Sequence, residues 1–224
     1  DEDGDIVVFS DLTGVRKLPP PITQYSQIQA EIVEERLWDQ GKHEASRLRH
    51  DANNFHILCH FFGRPSRYWA AQGKAVAWNK YRLKMMESLG DGEVPDAWLG
   101  LYASTSFRTA CALFGCGKKE EGYELLEKAF EIYTKWDSIP NGTEMDVGDP
   151  LIYGDIKVIK GKSLIKLPDD TIEPISYEHL FNETCSLMYY GLTAPYGWEW
   201  FDSVRNEDCF KEYIERAKNM IDKQ

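Results

Sequence analysis

The chain has 224 residues, of which 42% are hydrophobic and 28% are charged. This balance is typical of a globular protein and rules out a mainly disordered or collagen-like chain. Its formal net charge is −11, and such an acidic surface repels the phosphates on which nucleic-acid affinity depends. No apolar run reaches the ~18–20 residues that cross a bilayer. We therefore expect neither a membrane segment nor direct contact with nucleic acid.

The five cysteines are Cys59, Cys111, Cys116, Cys185 and Cys209. Their number is odd and no CxxC pair occurs. Four of them lie in predicted helices, where a free thiol packs as a small apolar group. This pattern predicts a reducing compartment and a cytoplasmic location.

Residues 1–22 are predicted to form an extended N-terminal arm. The arm begins with acidic residues, continues with the β-prone run 6–9 and ends in three prolines at 19–21, which favour a stiff extended chain. It is either a linker or a strap that packs along the helices.

Residues 23–139 show the three-and-four spacing of apolar residues that indicates helices. Glycine turns divide the segment into five predicted helices, which begin near residues 23, 44, 66, 95 and 119 and end near residues 40, 62, 89, 116 and 136. The apolar face of the first helix is predicted to consist of Ile28, Ile32, Val33, Leu37 and Trp38.

Residues 140–176 have a different character. Short β-branched runs alternate with turn residues and predict a small β insertion, a hairpin or three-stranded meander near 153–175. Residues 177–224 return to helical periodicity and predict two C-terminal capping helices, 177–190 and 207–222. An aromatic loop, 196–201, lies between them.

A weak internal repeat relates the segment after Gly63 to the segment after Gly117, at an offset of 54 residues. The second copy has small residues where two paired helices would cross, at Ala110, Gly122 and Ala129. With its turn glycine it resembles a tetratricopeptide repeat (TPR), whose helical hairpins stack on their neighbours. The pattern departs from the family at Ser106, which stands where the repeat usually has Trp.

The resemblance implies an all-α fold in which TPR-like antiparallel helical hairpins form a superhelical array. In such arrays the first helix of each hairpin lines a concave surface. That surface, which suits an extended peptide, would here consist of His50, Asn53, Ile57, His60, Phe61, Ser104, Phe107, Cys111 and Phe114.

Residues 197–210 also resemble the closing segment that follows TPR arrays in bacterial signalling proteins. The overall layout is similar to the C-terminal region of bacterial helix-turn-helix transcriptional regulators. This resemblance implies a protein- or peptide-binding module that serves as the sensor or assembly part of such a regulator. No helix-turn-helix is evident in the residues themselves.

Three alternatives remain open. His56 and His60, one helical turn apart, have the spacing of two zinc ligands, but no third ligand can be placed. The aromatic cluster Trp198, Trp200 and Phe201 is either core or the contact of a homo-oligomer. The basic stretch 64–84 is either a solvated face or, with its aromatic residues, the contact surface for an anionic partner. Its members are Arg64, Arg67, Lys74, Lys80, Arg82 and Lys84, with Trp69, Trp78 and Tyr81.

No catalytic motif is present: the sequence lacks the Gly-x-Ser-x-Gly, P-loop and GxGxxG patterns. Its carboxylates lie mostly on predicted solvent faces. We therefore predict a binding module rather than an enzyme, with no metal and no cofactor, and leave a homodimer open.

Overall fold

The computed structural model describes residues 7–9, 15–17, 24–63, 72–149, 155–175, 181, 184–194 and 196–222. Within these residues the chain is mostly helical and has a small four-stranded antiparallel sheet. A mostly helical fold with a β insertion is therefore confirmed.

The described helices lie close to the predicted segments. They are α1 (Gln24–Asp39), α2 (His43–Gly63), α3 (Gln72–Ser88), α4 (Leu99–Gly115), α5 (Lys119–Ser138), α6 (Ser186–Thr193) and α7 (Asp208–Ile221). Two single turns of 3-10 helix, Asp96–Trp98 and Glu199–Phe201, precede α4 and follow α6. The predicted start of α3 near residue 66 lies outside the described residues, as do 177–180 and 182–183 of the predicted helix 177–190. That helix is shorter than predicted, because residues 181, 184 and 185 are not helical and α6 begins at Ser186. None of the described helices combines the length and apolar character that crossing a bilayer requires.

Two helical hairpins close through the same glycine turn. In each, the glycine after the first helix has a positive φ, +73° at Gly41 and +74° at Gly117. The N–H of the next residue donates to a carbonyl five residues back, from Lys42 to Leu37 and from Lys118 to Leu113. This is the Schellman arrangement, which favours glycine because other residues are strained at positive φ. Both predicted breaks are confirmed.

Helix α4 is the centre of the fold. It packs against α3, α5, α6 and the turn Glu199–Phe201, and its residues 99–114 are buried apart from the half-buried Arg108. Arg108 is also its only charged residue. A helix with almost no charge on any side is expected in the middle of a core, even though α4 also buries four Ser and Thr residues.

Close approach of α4 and α5 depends on two glycines that face aromatic rings. A Cβ added to Gly122 would lie 2.8 Å from Phe114, and one added to Gly100 would lie 2.8 Å from Trp136. Both distances are shorter than a van der Waals contact, so the rings occupy the space that a side chain would need. Ala129, another predicted small residue of the crossing, is fully buried.

The sheet is an antiparallel meander. Its strands pair in the order β3 (Glu144–Asp146), β4 (Lys157–Ile159), β5 (Leu164–Lys166) and β6 (Ile172–Pro174). Met145 pairs with Val158, which pairs with Ile165, and these three side chains form the buried face. The structure adds β3 to the three-stranded prediction, because the turn at Asn141-Gly142 begins the sheet.

Hydrogen bonds and an ion pair join the sheet region to the helices. Trp98 Nε1 donates to the Val147 carbonyl at 2.6 Å, and the Asp149 N–H donates to the Leu89 carbonyl at 3.0 Å. The Arg49 guanidinium of α2 forms a two-pronged ion pair with the Glu173 carboxylate of β6. Bidentate pairs of this kind fix orientation, so the sheet is held against α2.

The N-terminal arm is not simply extended. Strands β1 (Val7–Phe9) and β2 (Val15–Lys17) pair antiparallel, with Val8 opposite Arg16. The predicted β-prone run thus contains a strand, and the chain folds back to pair it with a second short strand that the sequence did not indicate. The rest of the arm lies outside the described residues.

Arg205 ties together the loop between α6 and α7. Its guanidinium donates to the carbonyls of Leu192, Ala194 and Trp198 and to the Asp202 carboxylate. A single-headed ammonium cannot replace this fork of donors.

We expect Arg205→Lys to lower the free energy of unfolding by about 1–3 kcal/mol, because several buried or half-buried carbonyls lose their donor. Urea unfolding followed by circular dichroism measures the loss. An unfolding midpoint equal to that of the wild type would contradict the assignment of Arg205 as the residue that holds this loop.

Candidate functional site

The four candidate binding residues on α4 are buried. Ser104, Phe107, Cys111 and Phe114 are each at most 4% exposed. The Ser104 hydroxyl donates to the Leu101 carbonyl of its own helix, and burial raises the pKa of the Cys111 thiol. None of the four is offered to a partner in this structure.

The C-terminal segment covers this face of α4. The Phe107 ring lies 5.0 Å from Trp198 and 5.4 Å from Phe201, centroid to centroid. A Cβ added to Gly191 of α6 would lie 2.6 Å from the Phe107 ring, so the backbone of α6 also presses on it. The prediction that this stripe lines an open concave surface is corrected: the chain fills the space with its own side chains.

The aromatic cluster at 198–201 is therefore core. Phe201 is fully buried and packs on Phe114 and Phe210, while Trp200 lies against Gly115, where an added Cβ would approach the indole to 2.7 Å. Of the two interpretations of the cluster, packing within the chain describes this structure. Trp198 and Trp200 are half-buried, so of the three rings only Phe201 would have to leave α4 to form an oligomer contact.

The stripe predicted on α2 divides into two halves. His50 and Asn53 lie next to α1, where both contact the Glu34 carboxylate, at 3.0 Å and 3.5 Å. Ile57 is 43% exposed, and His60 and Phe61 are half-buried. His50 is exposed as well, so both halves of the stripe reach the surface, the first beside α1 and the second away from it.

Aromatic residues of α3 continue the second half of this stripe. The Phe61 ring lies 5.3 Å from Trp78, and Trp78 lies 6.1 Å from Tyr81, which is 54% exposed. We call Ile57, Phe61, Trp78 and Tyr81 the α2–α3 aromatic strip. It unites part of the predicted groove with part of the predicted basic and aromatic stretch.

Lysines border the strip along α3. Lys74 is four residues before Trp78 and Lys84 three residues after Tyr81, which places all four on one side of the helix. Both lysines are exposed, and neither forms an ion pair within the described part of the chain.

Two other basic residues of the same stretch serve the fold instead. Arg82 is buried and donates to the Phe62 carbonyl, and Lys80 pairs with Glu121 of α5 at 2.9 Å. Arg64 and Arg67, with Trp69, lie outside the described residues. The basic surface is therefore smaller than the sequence predicts.

The histidine pair does not gather a metal site among the described residues, where no group of three His, Cys, Asp or Glu side chains comes together. The Nδ1 atom of His56 is buried without a hydrogen-bond partner. Burial lowers the pKa of His56, the Arg49 guanidinium lowers it further, and the Glu173 carboxylate opposes both. The neutral imidazole is favoured beside the ion pair that holds the sheet.

Comparison with known proteins assigns no family to the chain. No protein-family model matches it, and neither does any curated protein or solved structure. The resemblance to TPR proteins stays a prediction that depends on the glycine and alanine positions of α4 and α5.

Proposed function

We propose that this chain is a protein- or peptide-binding helical module and that the α2–α3 aromatic strip is its contact surface. The observation that carries the proposal is the exposure of Ile57 and Tyr81 on adjacent helices, joined by the half-buried rings of Phe61 and Trp78. Clustered apolar and aromatic side chains at a surface are typical of protein contacts, and Trp and Tyr supply much of their binding energy.

Charge indicates the chemistry of the partner. The chain carries a net charge of −11, yet Lys74 and Lys84 stand at the two ends of the aromatic row on α3. A partner segment with carboxylates on either side of apolar side chains would place its rings on the strip and its charges on these lysines. Complementary charge of this kind raises the association rate and selects against wrong partners.

We also propose that the helical hairpins are TPR-like and stack into a superhelical array. The Schellman turn at Gly117 and the contact between Gly122 and Phe114 support this reading, since repeats of that family depend on small residues at the helix crossing. The narrower role, the sensor or assembly part of a bacterial transcriptional regulator, stays a prediction based on residues 197–210.

We expect Tyr81→Ala to weaken peptide binding at least about tenfold, because truncation of a central aromatic contact often costs 2 kcal/mol or more. The probe is a fluorescein-labelled peptide of about 12 residues in which Phe and Leu alternate with Glu and Asp. Fluorescence anisotropy at low salt measures its affinity for the full chain.

Tyr196→Ala is the matched control, since Tyr196 is 80% exposed and lies outside the strip. We expect this variant to bind the peptide as the wild type does. The double variant Lys74→Glu, Lys84→Glu should bind it more weakly than the wild type. The proposal fails if the wild type does not bind the peptide below about 1 mM, or if both tyrosine variants lose the same affinity.

A further inference from the structure

The contact surface on α2 continues beneath α1. His50, Asn53, Ile57 and Phe61 are spaced three and four residues apart, a spacing that puts them on one face of the helix. The last two belong to the α2–α3 aromatic strip, whereas the first two contact α1. Helix α1 therefore contacts one half of a continuous face through Glu34, where His50 stays exposed and Asn53 is half-buried.

A single side chain makes most of the polar contact. The two oxygens of the Glu34 carboxylate lie 3.0 Å from His50 Nδ1 and 3.5 Å from Asn53 Nδ2. The Ser46 hydroxyl adds a hydrogen bond to the Glu34 carbonyl at 3.0 Å. His50 and Asn53 carry groups that can donate to a carboxylate, so the carboxylate of an acidic partner could make the same two contacts.

Apolar burial is small along residues 32–39, the part of α1 whose side chains the structure describes, where the Trp38 ring packs at 4.2 Å on His43. None of the described side chains of residues 32–39 is buried, and Ile32, Val33 and Trp38 are 40–58% exposed. Within the described residues α1 packs extensively on α2 alone. By contrast, α5 buries residues along its whole length, including Leu126, Phe130 and Trp136. Elements with few buried contacts open at a small fraction of the global free energy of unfolding.

We propose that α1 is a displaceable acidic cover that occupies half of the partner-binding face, and that binding of the partner releases it; this inference rests on the proposed function. Helix α1 has four carboxylates and one cation, Arg36, so its charge is that of the acidic partner deduced from Lys74 and Lys84. On release, α1 swings away about the turn at Gly41, and His50 and Asn53 can then donate hydrogen bonds to the partner. The apparent affinity of the partner is then its intrinsic affinity multiplied by the fraction of molecules in which α1 is open.

Hydrogen exchange measured by mass spectrometry on the full chain tests the cover directly. We expect amides of residues 32–39 to exchange faster than those of α4 and α5 in the wild type. Glu34→Ala should speed exchange in α1 further, by roughly threefold to tenfold, because the contacts with His50 and Asn53 are lost. Exchange in α4 and α5 should not change.

Glu35→Ala is the matched control. Glu35 is the next residue on α1, is exposed and forms no hydrogen bond or ion pair among the described residues, and the same change in helix propensity applies to both variants. We expect the amides of α1 to exchange at the same rate in Glu35→Ala as in the wild type. Exchange in α1 as slow as in α4, or unchanged by Glu34→Ala, would overturn the proposal.

The acidic peptide probe separates this inference from the proposed function. Glu34→Ala should bind the peptide roughly threefold to tenfold more tightly than the wild type, and Glu35→Ala should bind it equally. Equal affinity of Glu34→Ala and the wild type would refute the cover and leave the binding function standing. Absence of binding to every variant would refute the binding function and, with it, the release of α1 by a partner.

Discussion

Truncation of Phe107 to alanine is expected to lower the free energy of unfolding by about 3–5 kcal/mol. The ring is fully buried and packs on Trp198 and Phe201 of the C-terminal segment and on the backbone at Gly191. Its removal would leave a cavity at the junction of α4, α6 and the loop 196–201, and the surrounding rings can close it only in part. Urea unfolding, followed by circular dichroism, gives the free energy directly.

Phe61→Ala is the informative comparison, since both phenylalanines belong to the predicted binding surface. Phe61 is half-buried in the α2–α3 aromatic strip, so its loss should lower the free energy of unfolding by only about 1 kcal/mol. Its main effect should be weaker binding of the acidic peptide. A Phe107→Ala variant that keeps its stability but loses peptide binding would mean that the C-terminal segment does not cover α4 in solution. The original prediction of an open groove would then be correct.

The local elements were predictable because their signals are local. Gly41 and Gly117 end helices through a positive φ that other residues adopt only with strain, and each occurs where the helical spacing stops. The β insertion was predictable from β-branched runs between turns. Its first strand was missed, because Glu144–Asp146 has only one apolar residue and is recognised as a strand only by its pairing with β4.

The binding surface on α4 was mispredicted for a reason that lies outside that helix. Spacing identifies Phe107 and Phe114 as one stripe, but it does not reveal what covers them. The covering residues, including Trp198 and Phe201, are about 90 positions further along the chain, a separation at which pairing cannot be read from periodicity. The near absence of charge in α4 was the available signal that the whole helix is buried.

Helix α1 shows the opposite error. Ile32, Val33 and Trp38 were predicted to form its buried face, yet all three are exposed to 40% or more. Trp38 still packs on His43 of α2, and the polar contact with α2 is made through Glu34, a residue that hydrophobic patterning assigns to solvent. On α3, by contrast, four members of the predicted basic and aromatic stretch, Lys74, Trp78, Tyr81 and Lys84, lie along one side of the helix, as their spacing requires.

Replacement of Lys160 by methionine is expected to lower the free energy of unfolding by about 2–4 kcal/mol, because it removes a buried cation from the end of a helix. Lys160 follows β4 and is only 6% exposed. Its ammonium donates to the carbonyls of Trp136 and Ile139 and lies 4.5 Å from the centroid of the Trp136 ring. These carbonyls belong to the C-terminal end of α5, where backbone acceptors lack partners and the helix dipole favours a cation.

Methionine keeps the apolar stem of Lys160 and removes only the donor, so the change isolates the polar contact. Burial lowers the pKa of Lys160 and the Asp137 carboxylate raises it, which agrees with an amine held inside the fold. Lys162→Met, two residues further along in an exposed turn, is the control and should leave the urea midpoint unchanged. Equal midpoints for the two variants would mean that packing of the sheet alone, without the ammonium, holds β4 against the end of α5.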